Sequence, residues 1–384
     1  MTEYLYHTKI ILLPYNSSQI DNQSEIIDYP INLDSEYKKK FCVSDIKLLK
    51  KDEIITPIKN NIDKTIYVSQ NSLSETLKNF KNNKVWLILT SGKYNLNYEN
   101  ITLKTLKITT LTNDTTILKI NDNFILDCKY LSITNINFIV DKKTYLHSSS
   151  GIFFPFKLNY ISFSECYFNN NENSKAVNIF NIKEGANQIN INNCIFENSD
   201  FEINNSNYLS IRNNKFIKTN ISIRYSNSIF HKNEFSGEFR FNFFNSFLSN
   251  INNNIFSDVN AYSYLINVDH NTDLYLTNNK IITTDDNFSL IKVNRCSNCY
   301  IESNNITIKL KQILACVESE SELYISDNIF NNNNIELAGY HCKINIGKGN
   351  ISLINGCEIV NFFVIERNII KPDEKYISFY PEKL

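Results

Sequence analysis

Leu209-Ser210-Ile211-Arg212-Asn213-Asn214-Lys215-Phe216 decides how this chain folds, because its eight-residue pattern returns again and again. It stands as ININNCIF at 189–196, SNINNNIF at 249–256, LYLTNNKI at 274–281, CYIESNNI at 299–306 and LYISDNIF at 323–330. Weaker copies begin at Leu131, Ile161, Ser228, Ile344 and Phe362. The eleven starts lie 18 to 30 residues apart, and a recurring period of that size is the signature of a solenoid.

Within one copy, positions one and three are mostly Leu, Ile or Phe, and position eight is always Phe or Ile. Alternation at one and three predicts a half-buried strand. Position six carries Asn214, Asn233, Asn254, Asn279, Asn304 and Asn328 in successive units, preceded by Cys166 and Cys194. A small polar residue between inward apolar positions predicts a tight bend, and Asn tolerates left-handed backbone there. Stacked coils place such amides about 4.8 Å apart, so this column is expected to form an internal hydrogen-bonded ladder rather than an exposed binding stripe. A second strand follows most copies, at 201–205, 221–225, 239–243, 264–268, 290–293 and 335–337.

Two or more short strands per coil, with bends between them and no helical period, resemble the right-handed parallel β-helix of the pectate-lyase-like superfamily. The resemblance covers roughly residues 65 to 370. It implies an all-β fold, a right-handed parallel β-helix solenoid with a short N-terminal capping helix, and it says little about activity, because one fold hosts many functions.

Composition narrows the function classes. Lys plus Arg number 39 against 40 for Asp plus Glu, so no global field recruits nucleic acid or an acidic membrane. Neither partner is expected. Asn makes up roughly a sixth of the chain, far above ordinary usage; with abundant Ile and Lys this is similar to coding from an AT-rich genome, such as those of some large DNA viruses. Nine cysteines show no framework spacing. The N-terminal stretch has no signal-peptide pattern and no apolar run approaches a membrane span, so a reducing compartment, cytoplasmic or virion-associated, is expected.

Residues 1–64 lie outside the repeat and read as an N-terminal arm or small module. Ser72-Leu73-Ser74-Glu75 reads as a capping box, with Leu73, Leu77 and Phe80 on one helix face. The β-helix is assigned to 65–370 and a C-terminal capping tail to 371–384. The stretch 151–156 (GIFFPF) reads as an inserted loop. No proline occurs between Pro155 and Pro372, so no ladder donor is missing from the main stack.

Enzymes on this fold mainly cut acidic polysaccharides. Asn271-Thr272-Asp273 and Asp285-Asp286 resemble the acid motifs of polygalacturonase-like hydrolases, but their spacing is about half a coil and no Gly-His-Gly follows. Asp200, Glu202, Arg212 and Arg224 invite comparison with a lyase and read better as surface charge. Cys296-Ser297-Asn298-Cys299 lacks two further zinc ligands. No catalytic residue, metal site or cofactor is therefore assigned. What remains is positional: Arg224, Asp269, His270, Arg295, Glu318, Tyr340 and His341 fall just before successive copies and predict a polar column, either a salt-bridge ladder or the lining of a groove. The favoured function is a non-enzymatic binding or scaffold protein presenting an elongated face to a glycan or protein partner. The alternatives are a polysaccharide lyase or glycoside hydrolase with a divergent site, and a structural virion or surface component.

Overall fold

A computed structural model describes residues 62–384, apart from 97–98, 113–114, 121–122, 141–150, 155–157, 171–176, 183–184, 262, 284–288, 309–312, 332–334, 341, 353–361, 366–367, 373–376 and 382–384. The N-terminal arm or module and Asp285-Asp286 lie outside the described residues.

The described chain is a parallel β-solenoid. Each coil of the regular stack carries three short strands, which align into three columns: sheet A holds positions one to four of each repeat, sheet B positions seven and eight, and sheet C the following strand. Pairing runs in register from coil to coil. Leu209 pairs with Ser228, Ser228 with Ser249, Ser249 with Leu274 and Leu274 with Cys299 on sheet A. Phe196, Phe216, Phe235 and Phe256 pair successively on sheet B. In the first coils, Glu99–Thr110 and Asn123–Thr134 run through sheets C and A as single strands, without the corner that later separates them.

The core is the inside of this tube. Positions one, three and eight point inward because a strand alternates its faces. Leu209, Ile211 and Phe216 are fully buried, as are Leu274, Leu276 and Ile281. On sheet B, six phenylalanines stack face to face: Phe138, Phe168, Phe196, Phe216, Phe235 and Phe256, with successive centroids 4.6 to 5.0 Å apart. That interval is the strand spacing itself, so the rungs stand at the separation a parallel ladder dictates.

The A-to-B corner carries the asparagine ladder. Nδ2 of Asn214, Asn233, Asn254, Asn279 and Asn304 each donates to Oδ1 of the next coil's asparagine at 2.9 to 3.0 Å. Asn328 continues it to Asn350 at 3.2 Å, one rung beyond the column expected from sequence. The left-handed conformation falls on position five, not six: Asn193, Asn213, Lys232, Asn253, Asn278, Ser303 and Asp327 all have φ between 54° and 57°. Position five makes the bend and position six turns its amide inward, so the two tasks assigned to one asparagine are split between neighbours.

Three other expectations change. Gly151–Phe154 is not a loop; it is a sheet C strand pairing with Asn123–Thr134 and Val177–Ile182. The copy beginning at Phe362 is no repeat start, because Phe362–Ile365 pairs with Ile335–Tyr340 in sheet C. The helix Leu73–Asn79 forms and buries Leu73 and Leu77, yet Ser72 makes no side-chain cap. Ser72 has helical backbone angles instead of the extended ones an N-cap needs, and its hydroxyl donates to the Ser69 carbonyl. At the far end, Ile377–Pro381 pairs antiparallel with Lys343–Ile346, so the exposed edge of the last sheet A strand is occupied.

Candidate functional site

The polar column lies at the C-to-A corner, where left-handed residues turn each coil. Asn205, Tyr225, Asn245, His270, Arg295 and Ser319 all have φ between 49° and 55°. Immediately inside them runs a second internal ladder. The backbone N–H of Ala186, Ser206, Ser246, Thr272 and Ser297 donates to the hydroxyl of Ser206, Ser226, Thr272, Ser297 and Ser321, respectively, at 2.9 to 3.2 Å. The sequence carries its signal, a Ser or Thr two or three residues before each of the six copies that begin between Leu209 and Leu323. In three coils the corner gains a residue, and Asn271, Cys296 and Glu320 are also left-handed.

Register sets the order of the column. Asn204 pairs with Arg224, Arg224 with Phe244 and Phe244 with Asp269, while Glu318 pairs with Tyr340 higher up. His270 and Arg295 occupy the next position, on the turn itself. Asp269, His270 and Arg295 come together: His270 Nδ1 lies 3.1 Å from Asp269 Oδ1, and Arg295 Nη1 lies 2.9 Å from His270 Nε2 and 3.7 Å from Asp269 Oδ2. The His270 ring packs on Phe244 at 4.1 Å between centroids. Arg224 reaches the other side of this group, 5.9 Å from the Phe244 ring, and its Nε is 3.5 Å from Glu202. Tyr225 meets Phe244 edge-on at 5.7 Å.

Glu318 does not join the cluster; it pairs with Lys292 at 3.1 Å. Tyr340 is in the column by backbone pairing, and His341 lies outside the described residues. The structure therefore brings Arg224, Asp269, His270 and Arg295 into one contiguous patch, bridged by Phe244. Sequence spacing missed Phe244 because its apolar side chain stands where charged residues stand in neighbouring coils.

The motif Asn271-Thr272-Asp273 is used structurally. Asn271 is left-handed, Thr272 is a rung of the hydroxyl ladder, and Asp273 accepts from Asn298 Nδ2 at 2.7 Å. Burial pushes the Asp273 carboxyl up to about 6, against the lowering effect of Asn298. Beside it, Tyr275, Tyr300 and Tyr324 stack on the outer side of sheet A at 4.6 and 4.7 Å. Arg212 stands on sheet A while Glu202 and Arg224 stand on sheet C, so no lyase-like grouping forms. Cys296 is exposed and Cys299 buried. Among the described residues no group of three or more His, Cys, Asp or Glu is placed to hold a metal ion, and no helix is long and apolar enough to cross a membrane.

The architecture and corner define a parallel β-solenoid with a polar, partly aromatic ridge along one edge. Comparison of the chain with protein families, curated proteins and solved structures finds no match.

Proposed function

We propose that this protein is a non-enzymatic scaffold, a right-handed β-helix of the pectate-lyase-like kind that presents an elongated face to a glycan or protein partner. One observation carries the reading: both carboxylates of the polar column are already engaged. Asp269 is held by His270 and Arg295, and Glu318 by Lys292. A general acid or base must be free to exchange its proton with a substrate, and a calcium site needs several oxygen ligands converging. Engaged carboxylates at a convex corner supply neither. Asp269 instead holds Arg295 in place as a recognition group, as Glu202 holds Arg224. Abundant rungs in one register suit a binding surface that repeats along an axis.

The test is a panel of polysaccharides, oligosaccharides and peptides, scored for both turnover and affinity. Binding without turnover is expected. Turnover abolished by Asp269→Asn or Glu318→Gln would replace the scaffold with a divergent polysaccharide-active enzyme.

A further inference from the structure

We infer that the ridge formed by Arg224, Tyr225, Phe244, His270 and Arg295 docks an acidic, extended segment of a partner protein; this deepens the scaffold reading and rests on it. The charges of the ridge are sorted by depth. The side chains of Arg224 and Arg295 are 50% and 57% exposed, whereas their partners Glu202 and Asp269 are 26% and 17% exposed. Carboxylates sit behind and guanidinium groups stand in front, so an approaching molecule meets positive charge first. Neither arginine is used up. Arg224 bonds only through Nε, and Arg295 only through Nη1, among the described residues. Each keeps terminal N–H donors in the fork that suits a carboxylate.

The aromatic residues separate a peptide from a sugar chain. A sugar ring stacks on an open aromatic face, and here the Phe244 ring packs against His270 and lies near Arg224, while Tyr225 stands edge-on to it. What remains outward is the 47% exposed Tyr225 side chain, next to Arg224 in the chain, the residue types that anchor protein interfaces. Spacing adds a requirement on the partner. Arg224 and Arg295 stand three rungs apart, about 14 Å at the parallel-strand interval. An extended peptide advances about 3.4 Å per residue, so two same-side acids four residues apart would match the spacing of the two arginines along the stack.

The experiment pans a displayed library of random linear peptides against the full chain, then measures selected peptides by fluorescence anisotropy. Enrichment of Asp or Glu at positions i and i+4 is expected. Arg224→Glu and Arg295→Glu should each weaken binding at least tenfold, and the milder Arg224→Gln and Arg295→Gln by less. Lys232→Ala, at the opposite corner, should leave it unchanged. Circular dichroism melts matching the parent confirm that each variant is folded. Selected peptides without acidic bias, or binding indifferent to both reversals, overturns the inference while leaving the scaffold reading in place. A sulfated oligosaccharide that binds more tightly than any selected peptide, and is lost with the same reversals, reassigns the ridge to glycans. Polysaccharide turnover, by contrast, removes the scaffold reading itself.

Discussion

Both N–H donors of Asn254, the backbone amide and the side-chain Nδ2, converge on Oδ1 of Asn279, at 2.8 and 3.0 Å. Asn279 passes the arrangement on, donating through Nδ2 to the Ile251 carbonyl at 2.8 Å and to Asn304 Oδ1 at 3.0 Å. One side chain thus satisfies buried donors and acceptors in both neighbouring coils.

Asn279→Leu should therefore destabilise the fold more than a single lost bond would. Leaving a buried polar group unsatisfied costs about 1–3 kcal/mol, and Asn254 and Asn304 would each lose a partner. A loss of roughly 2–6 kcal/mol is expected by that reckoning, read as a lower midpoint in thermal or urea denaturation. A midpoint equal to the parent's would show that the ladder contributes nothing net.

At Asn253 the left-handed φ of 55° should discriminate between substitutions. A β-branched side chain is a genuine outlier in that region, so Asn253→Val is expected to cost about 1–2 kcal/mol. Asn253→Gly should stay within about 1 kcal/mol of the parent. Urea denaturation of both variants distinguishes a backbone effect from loss of the amide, since both remove it.

Asp273 gives a dependence on pH with a definite sign. Its carboxyl titrates near 6 when folded and near 3.9 when unfolded, so the folded state binds the extra proton between those values. Stability contributed by that proton is present below about pH 4 and is lost as pH rises through about 6. Asp273→Asn removes the penalty, and the variant should exceed the parent's stability above pH 6 by at most about 3 kcal/mol, at 1.36 kcal/mol per pKa unit. The gap should close by pH 4. His231, whose folded value falls to about 4 mainly through burial, acts in the opposite sense across a similar window. The parent's own curve is therefore flattened, and the difference between parent and variant is the quantity to measure.

Thiol chemistry should divide the cysteines by position. Cys296 is exposed, while Cys128, Cys166, Cys194, Cys299 and Cys342 are buried; burial also pushes the Cys128 thiol up to about 12. Alkylation of the native protein, mapped by peptide mass spectrometry, should modify Cys296 rapidly and these five only after denaturation. A disulfide between Cys296 and Cys299 would contradict this placement.

Repetition made the fold legible. Leu209, Ile211 and Phe216 could be set inside and Asn214 assigned to a ladder, because ten similar units report the same environment and the accidents of any one cancel. Residues used once were harder. Phe244 gave no sign that it would bridge Arg224 and His270, since that contact depends on register between coils of unequal length. Gly151–Phe154 is hard to read for a related reason: the 30-residue spacing around it suggests an insertion, and strand pairing decides otherwise. The polar column was visible as a position, but which charges meet depends on rotamers and on the extra corner residues Asn271, Cys296 and Glu320.

The asparagine row also has a direction. Each amide from Asn214 to Asn328 donates toward the C-terminal coil and accepts from the N-terminal side wherever an asparagine precedes it. A circuit of chain cut at this corner therefore exposes a donor on one face and the matching acceptor on the other, like the stud and socket of a building block. Copying residues 254–278 in tandem would lengthen the tube by about 4.8 Å and leave every bond type intact. Copying part of a circuit would put an asparagine on the outside and an isoleucine against water. For a gene of this kind, the natural step of growth is one whole turn.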